Sequence, residues 1–283
     1  FFSSRRRHTR FRNVTGVQTC ALLICPLCIG AAVVFLSSIS PQRIVEAFHK
    51  HHITFFVCVP QFFYALHQRI FAQVNALPFA VRKVFGLLFR VAGLLPRPQQ
   101  RRLLFGKIHR AIGPDLKVLA SGGSRFDPAI AADLDRLGYD TLQAYGLTET
   151  SAAATATPAS ANAIGSVGRP IRGVTVRIDK PDASGVGEVC ISGPTLMKGY
   201  YKDGAATQAA IADGWFRSGD LGRLLPGGNL LITGRSKDVI ILANGENVYP
   251  EELESHYAQS PWIKELCVMG VADGEGQIGR AHV

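Results

Sequence analysis

Tyr145-Gly146-Leu147-Thr148-Glu149 packs an aromatic ring, a glycine, a hydroxyl and a carboxylate into five residues, inside the stretch Gln143 to Thr150 that follows an apolar, strand-like run. The set suits a nucleotide. A ring can stack on a base, a hydroxyl can hydrogen-bond a phosphate oxygen, and a carboxylate can hold a divalent cation that neutralises phosphate charge. The glycine would let backbone approach the ligand. Taken alone, the same residues also fit a strand ending in a polar turn with a solvated glutamate. The decision falls to the rest of the chain.

Two further stretches add matching chemistry. Ser121-Gly122-Gly123-Ser124 follows the short apolar run Leu116 to Ala120 and leads toward a helix expected from Pro128; a glycine turn at the carboxyl end of a strand is where α/β sheets bind ligands. Gly214-Trp215-Phe216-Arg217-Ser218-Gly219-Asp220 sets a carboxylate just past a glycine. Two acceptor oxygens at a tight turn can take both hydroxyls of a ribose, although an Asx turn fits the same residues.

The elements needed to position these groups are legible in outline. Ile29 to Leu36 reads as a buried strand of a parallel sheet, Pro41 opens a helix, Ile53 to Val59 is the next buried strand, and Gln61 to Phe71 is helical. Strand-helix alternation implies an α/β fold with a layered parallel-sheet core. After Ile164 glycine-punctuated alternating segments predict a small antiparallel β region, including Val174 to Ile178 and Gly187 to Ser192. Gly234-Arg235-Ser236-Lys237-Asp238 marks a boundary, beyond which Val239 to Leu242, Glu251 to Tyr257 and Leu266 to Val271 outline a partial α+β lid.

With 283 residues and 47% hydrophobic content the chain is globular, and its net charge of +10 is local. Five arginines lie in residues 1–24, one in the last six and eight Lys/Arg in 81–110, which leaves the remainder at −4. That distribution argues against nucleic-acid binding. Segment 78–112 reads as two basic amphipathic pieces, with Val84, Leu88 and Val91 sharing a face with Phe85 and Phe89; it suits either a peripheral contact with anionic membrane or an ordinary surface helix pair. Six cysteines in a chain of this length imply reduced, mostly core thiols, and Cys25 with Cys28 lacks the partners of a zinc site. The His49, His51 and His52 group reads as a helix end more than a metal site. The expected location is cytoplasmic, with an inner-membrane contact through 81–110.

In this order and spacing the Ser121–Ser124, Tyr145–Thr150, Gly187-Glu188-Val189, Gly199-Tyr200-Tyr201, Gly214–Asp220, Gly234–Asp238 and Gly245–Glu254 stretches resemble the adenylate-forming (AMP-binding) acyl-CoA synthetase superfamily over roughly residues 29–277. Ile232 to Glu254 is most similar to the fatty-acyl-CoA and acyl-carrier-protein synthetase branch. The resemblance implies ATP-dependent activation of a carboxylic acid, long-chain fatty by this branch, to acyl-AMP, then transfer to the pantetheine thiol of CoA or acyl carrier protein. By motif position Tyr145 stacks on adenine, Thr148 contacts phosphate and Glu149 ligates Mg²⁺. Asp220 and Arg235 hold the ribose; Gly122, Gly123, Ser124 and Ala144 border adenine and the acyl pocket; Gly146 belongs to the same loop. Lys237 is the hinge, and Gly245 lies on the lid loop that approaches pantetheine. Ala144 and Ser218 depart from the more usual Gly and Thr.

The domain plan that follows is 25–236 for a partial large domain, with its α/β core to about 164 and β-rich part 165–236, and 237–277 for the hinge and partial lid. Residues 1–24 and 278–283 resemble translated adapter sequence and are expected to be non-native tails. The family's phosphate loop would lie upstream of Ile29 and its lid lysine beyond Gln277, so the chain as it stands is expected not to adenylate at a useful rate. Alternative readings are an aryl- or amino-acid-adenylating ligase, and a non-catalytic nucleotide-binding or membrane-associated protein.

Overall fold

Proline, whose fixed φ and missing N–H suit the first helical position, opens the helices Pro41–Lys50, Pro60–Asn75, Pro98–Leu104, Pro128–Arg136 and Pro250–Tyr257. The computed structural model describes residues 25–282 except 37–39, 125, 159–160, 243–246, 258–259, 261–262, 264–265 and 273–276. The chain forms two compact units, one running to Ser124 and including Pro128–Leu142, the other holding 125–127 and everything from Gln143.

In the first unit β1 (Phe55–Cys58) pairs in parallel with β2 (Val118–Gly122), joined by the helix Pro60–Asn75 and later helices, which delivers the expected strand-helix-strand arrangement. β3 (Asp140–Tyr145) begins beside β2, with the Asp140 N–H donating to the Lys117 carbonyl at 2.9 Å, and its last residues belong to the second unit. Ile44, Phe48, Phe63, Leu116, Leu119 and Leu134 are buried here. Phe56 packs edge-on against Phe48 and Phe62 at 5.0 Å each.

Several expectations need correction. Ile29 to Leu36 is not a strand: the run has no ladder partner among the described residues, and Ile29 and Phe35 stand 81% and 76% exposed. A strand buried on both faces requires neighbours on both sides and cover above and below. β1 is likewise not fully buried, since Phe55 and Val57 face outward. Segment 78–112 is three helices, Phe79–Ala92, Pro98–Leu104 and Gly106–Ile112. Phe85 and Phe89 turn inward onto Phe71 and Phe105, whereas Val84, Leu87 and Val91, with Leu94 just past the helix end, form a separate exposed stripe. Of the described free cysteines only Cys190 is buried; Cys28 and Cys267 are exposed. His49 and His52 engage the Ala111 carbonyl and Asp115.

The second unit is antiparallel. β4 (Thr155–Ala156) pairs with the end of β3 and with β5 (Arg169–Pro170). A second sheet contains β6 (Thr175–Asp179), β7 (Gly187–Ser192), β8 (Ile211–Ala212), β9 (Trp215–Leu224) and β10 (Leu230–Arg235) in the order β10-β9-β7-β6, with β8 on β9. Val174, Val176, Val189, Ile191 and Leu230 form its core, and Tyr145, Leu147 and Ile232 pack against them. Further on, β11 (Ile240–Ile241) pairs with β12 (Asn247–Val248), and β13 (Cys267–Ala272) with β14 (Gln277–His282). Glu254, on the helix between them, accepts from the Val268 N–H at 2.8 Å, so this end has the α+β character expected of a partial lid. Parallel pairing in the first unit and antiparallel sheets in the second make the chain α/β with an added β region.

Candidate active site

Asp220 does not sit in a turn. It lies within β9, a ten-residue strand, at a bulge. Leu221 is opposite Glu188 and Arg217 is opposite Cys190, so Ser218, Gly219 and Asp220 all stand against Val189 alone. The extra residues lose their ladder partners on β7, and buried backbone groups without partners are costly. Side chains replace the ladder. Ser218 Oγ donates to the Val189 carbonyl at 2.7 Å and accepts from the Asp220 N–H at 3.0 Å. Glu188 Oε1 accepts from the Gly219 N–H at 3.2 Å, while both the N–H and the hydroxyl of Ser236 donate to the Gly219 carbonyl at 2.9 and 3.0 Å. Gly219 takes a left-handed backbone (φ +71°), which glycine adopts without strain.

The carboxylate so presented is 4% exposed. Tyr145, at the end of β3, donates its hydroxyl to Asp220 Oδ2 at 2.6 Å, and Arg235 Nε meets Oδ1 at 2.9 Å. The Arg235 contact follows from register: a one-residue irregularity at Thr233 in the β9–β10 ladder places Arg235 directly across from Asp220. Burial raises the Asp220 pKa, with the Tyr145 and Arg235 contacts opposing it. Burial, then the adjacent carboxylate, pushes the Tyr145 hydroxyl well above its ordinary range, so it remains a donor. The arrangement offers a buried, two-pronged acceptor beside an aromatic ring.

Thr148 and Glu149 lie in a 3₁₀ turn directly after β3, which Thr150 closes by accepting from the Leu147 N–H at 2.8 Å. The Glu149 carbonyl accepts from the Met197 N–H at 2.8 Å, and its Oε1 accepts from the Tyr200 hydroxyl at 2.9 Å. No group of three or more His, Cys, Asp or Glu side chains among the described residues could hold a metal. A lone carboxylate still fits Mg²⁺, which usually takes one or two protein carboxylates and fills its octahedron with water and phosphate oxygens. At Gly146 the requirement for glycine is internal: a Cβ would come within 2.5 Å of the Ala152 carbonyl oxygen.

Tyr145, Asp220 and Arg235 are therefore brought together, with Ala144 exposed one residue earlier on β3 and Thr148 exposed in the turn. Gly122 closes β2 in the first unit, and Gly123 (φ +89°) and the exposed Ser124 follow it. Lys237 is exposed in the turn after β10, and Gly245 lies outside the described residues. Sequence reasoning named Glu188, Tyr200 and Ser236 only as motif members. The GEV and GRSKD motifs were the available signal, but their partners lie 17 to 51 residues away.

A family model described as "AMP-binding enzyme" matches residues 15–201. The chain is 29% identical over 246 residues to the peroxisomal long chain acyl-CoA synthetase 7 of Arabidopsis thaliana, covering 81% of this chain and 35% of that protein. It is 35% identical over 187 residues to a chloroplastic long-chain-fatty-acid–[acyl-carrier-protein] ligase of the same plant, covering 60% and 26%. It thus spans about a third or less of the length of these relatives. Among solved structures, O-succinylbenzoate coenzyme A synthetase from Bacillus subtilis in complex with AMP superposes with a TM-score of 0.71 at 22% identity, over 95% of this chain and 48% of that one.

Proposed function

Because this chain belongs to the AMP-binding enzyme family, the adenylate-forming superfamily its motifs resemble, we propose that it serves an acid–thiol ligase that activates a long-chain fatty acid. In the first step a carboxylate oxygen of the acid attacks the α-phosphorus of ATP, pyrophosphate leaves, and a mixed acyl-AMP anhydride forms. In the second a pantetheine thiol, of CoA or acyl carrier protein, attacks the acyl carbon; AMP leaves and the thiol proton goes to solvent. The anhydride is needed because a carboxylate oxygen is by itself a poor leaving group.

The observation that carries the reading is the Tyr145–Asp220–Arg235 cluster, which joins three motifs around one buried carboxylate, Tyr145 and Asp220 being 75 residues apart. Asp220 accepts the ribose hydroxyls, Arg235 fixes its second oxygen, and the Tyr145 ring offers its face to adenine. Thr148 meets a phosphate oxygen. Glu149 would hold Mg²⁺, whose positive charge, when bound, offsets the charge of the phosphates. Tyr200 orients that carboxylate from its other side. Fatty acids are favoured over aryl acids because the relatives named above are long-chain fatty-acid enzymes by name, at 29% and 35% identity.

Peripheral contact with an anionic membrane belongs to the same proposal. Val84, Leu87, Val91 and Leu94 form an exposed aliphatic stripe flanked by Lys83 and Arg90, in a segment without an acidic residue. No helix among the described residues is long and apolar enough to cross a membrane.

The reading is tested by calorimetric binding of AMP and of unreactive acyl-sulfamoyl adenosines carrying palmitoyl, benzoyl or aminoacyl groups. Tightest binding of the palmitoyl compound supports the proposal. Benzoyl or aminoacyl preference moves the substrate class, and a folded chain that binds no adenosine compound refutes the site.

A further inference from the structure

We infer that Glu188 and Ser236 are positioning residues that set the direction of the Asp220 carboxylate by holding the β9 bulge in register. The inference rests on the proposed ribose role of Asp220 and deepens it. Side chains on a strand alternate between faces, so a one-residue slip of β9 would turn Asp220 to the opposite side of the sheet. The register on either side of the bulge is fixed by the pairs Leu221 with Glu188 and Arg217 with Cys190. Within it, β7 offers no ladder partner that distinguishes Ser218, Gly219 and Asp220, and on the other side only the pairing of Asp220 with Arg235 in β10 marks the position.

Glu188 adds the constraint from the β7 side. Its Oε1 takes the Gly219 N–H, and its Oε2 is paired with Arg217, the last residue before the bulge. Arg217 also reaches Asp179 at 3.2 Å, and Asp179 is opposite Glu188 in the β6–β7 ladder. One glutamate thus ties the residue before the excursion and its middle residue to the neighbouring strand. Ser236 seizes the other side of the same peptide group by donating twice to the Gly219 carbonyl. With Gly219 held at both its N–H and its C=O, the following Asp220 projects its carboxylate toward Tyr145 and Arg235. Neither Glu188 nor Ser236 contacts the Asp220 side chain, so each acts through the backbone.

The test compares dissociation constants of AMP and 2′,3′-dideoxy-AMP, which differ only in the hydroxyls a carboxylate would accept. The wild-type chain should prefer AMP by on the order of tenfold or more, as expected for hydrogen bonds to a charged group. Glu188→Ala should bring that ratio near one, while Glu188→Gln, whose amide oxygen can still accept from Gly219, should keep it within about threefold of wild type. A merely structural glutamate would weaken both nucleotides alike and leave the ratio unchanged, which overturns the inference. If Glu188→Ala does not fold by circular dichroism, Ser236→Ala, at an exposed hydroxyl, is read the same way: a ratio lowered about threefold supports the role, and an unchanged ratio overturns it. A wild-type ratio near one refutes the ribose role of Asp220 itself, and this inference with it.

Discussion

Replacing Tyr145 with phenylalanine should weaken the fold and strengthen nucleotide binding. The Tyr145 hydroxyl donates to Asp220 at 2.6 Å, and the carboxylate is 4% exposed. Phenylalanine keeps the ring and its packing but leaves a buried anionic oxygen without that donor. Hydrogen bonds to charged groups contribute about 1.5–3 kcal/mol, so Tyr145→Phe should destabilise the second unit by about 2 kcal/mol. A ribose hydroxyl that reaches the same oxygen must first displace the tyrosine donor. In the variant no competitor remains, and the ligand hydroxyl satisfies a group the mutation left wanting. Removing a 2 kcal/mol competitor corresponds to at most about thirtyfold in affinity, and sharing of lone pairs reduces this to roughly three- to tenfold tighter AMP binding. Urea unfolding followed by Trp215 fluorescence, Trp215 being on β9, gives the first quantity, and calorimetry with AMP the second. Weaker AMP binding with unchanged stability would refute the reasoning, because the hydroxyl would then be serving the ligand and not Asp220.

A second expectation concerns pH. Burial lowers the His109 pKa from 6.5 to about 4, against the Leu137 carbonyl that accepts from its Nε2 at 2.8 Å. The unfolded chain therefore takes up this proton first, so the contribution is intact above about pH 6.5 and lost as pH falls toward 4, amounting to about 3 kcal/mol. An NMR titration of the imidazole should show no midpoint above about pH 5; one near 6.5 would contradict it. Glu149→Gln should leave AMP affinity within about twofold and weaken MgATP binding about tenfold, with EDTA reducing wild type to the variant's level. Equal losses for both nucleotides would remove the metal role. Leu87→Glu and Arg90→Glu should each lower co-sedimentation with phosphatidylglycerol vesicles at least about threefold without changing AMP affinity, and retention by neutral phosphatidylcholine alone would count against an electrostatic component.

What could be read from the chain was what local chemistry determines. Pro41, Pro128 and Pro250 each begin a helix, as read, because a ring-closed φ and an absent N–H act on their own residue. Gly187 to Ser192 is a strand with the expected limits. The failures share a different origin. Ile29 to Leu36 has strand-forming residues, yet a strand also requires a partner that no local pattern supplies. Ser218-Gly219-Asp220 resembles a turn because turns and bulges both use glycine and short polar residues; only the pairing of β9 with β7, some 30 residues earlier, distinguishes them. Val84 and Phe85 looked like one face because both are apolar, and the position of Phe71 and Phe105 separates them. Asp220 was legible as a residue, whereas the groups that hold the peptide beside it were legible only as punctuation.

The two bonds from Ser236 to the Gly219 carbonyl bear on motion as well as aim. Ser236 immediately precedes Lys237, so the last anchored peptide before the proposed hinge is tied to the strand that would hold the nucleotide sugar. If Lys237 is the hinge, rotation of the following segment would have a fixed origin at this peptide. Sugar occupancy and hinge freedom would then be thermodynamically linked through one carbonyl: whatever stiffened Gly219 would shorten the tether, and whatever pulled on the tether would be felt at the sugar.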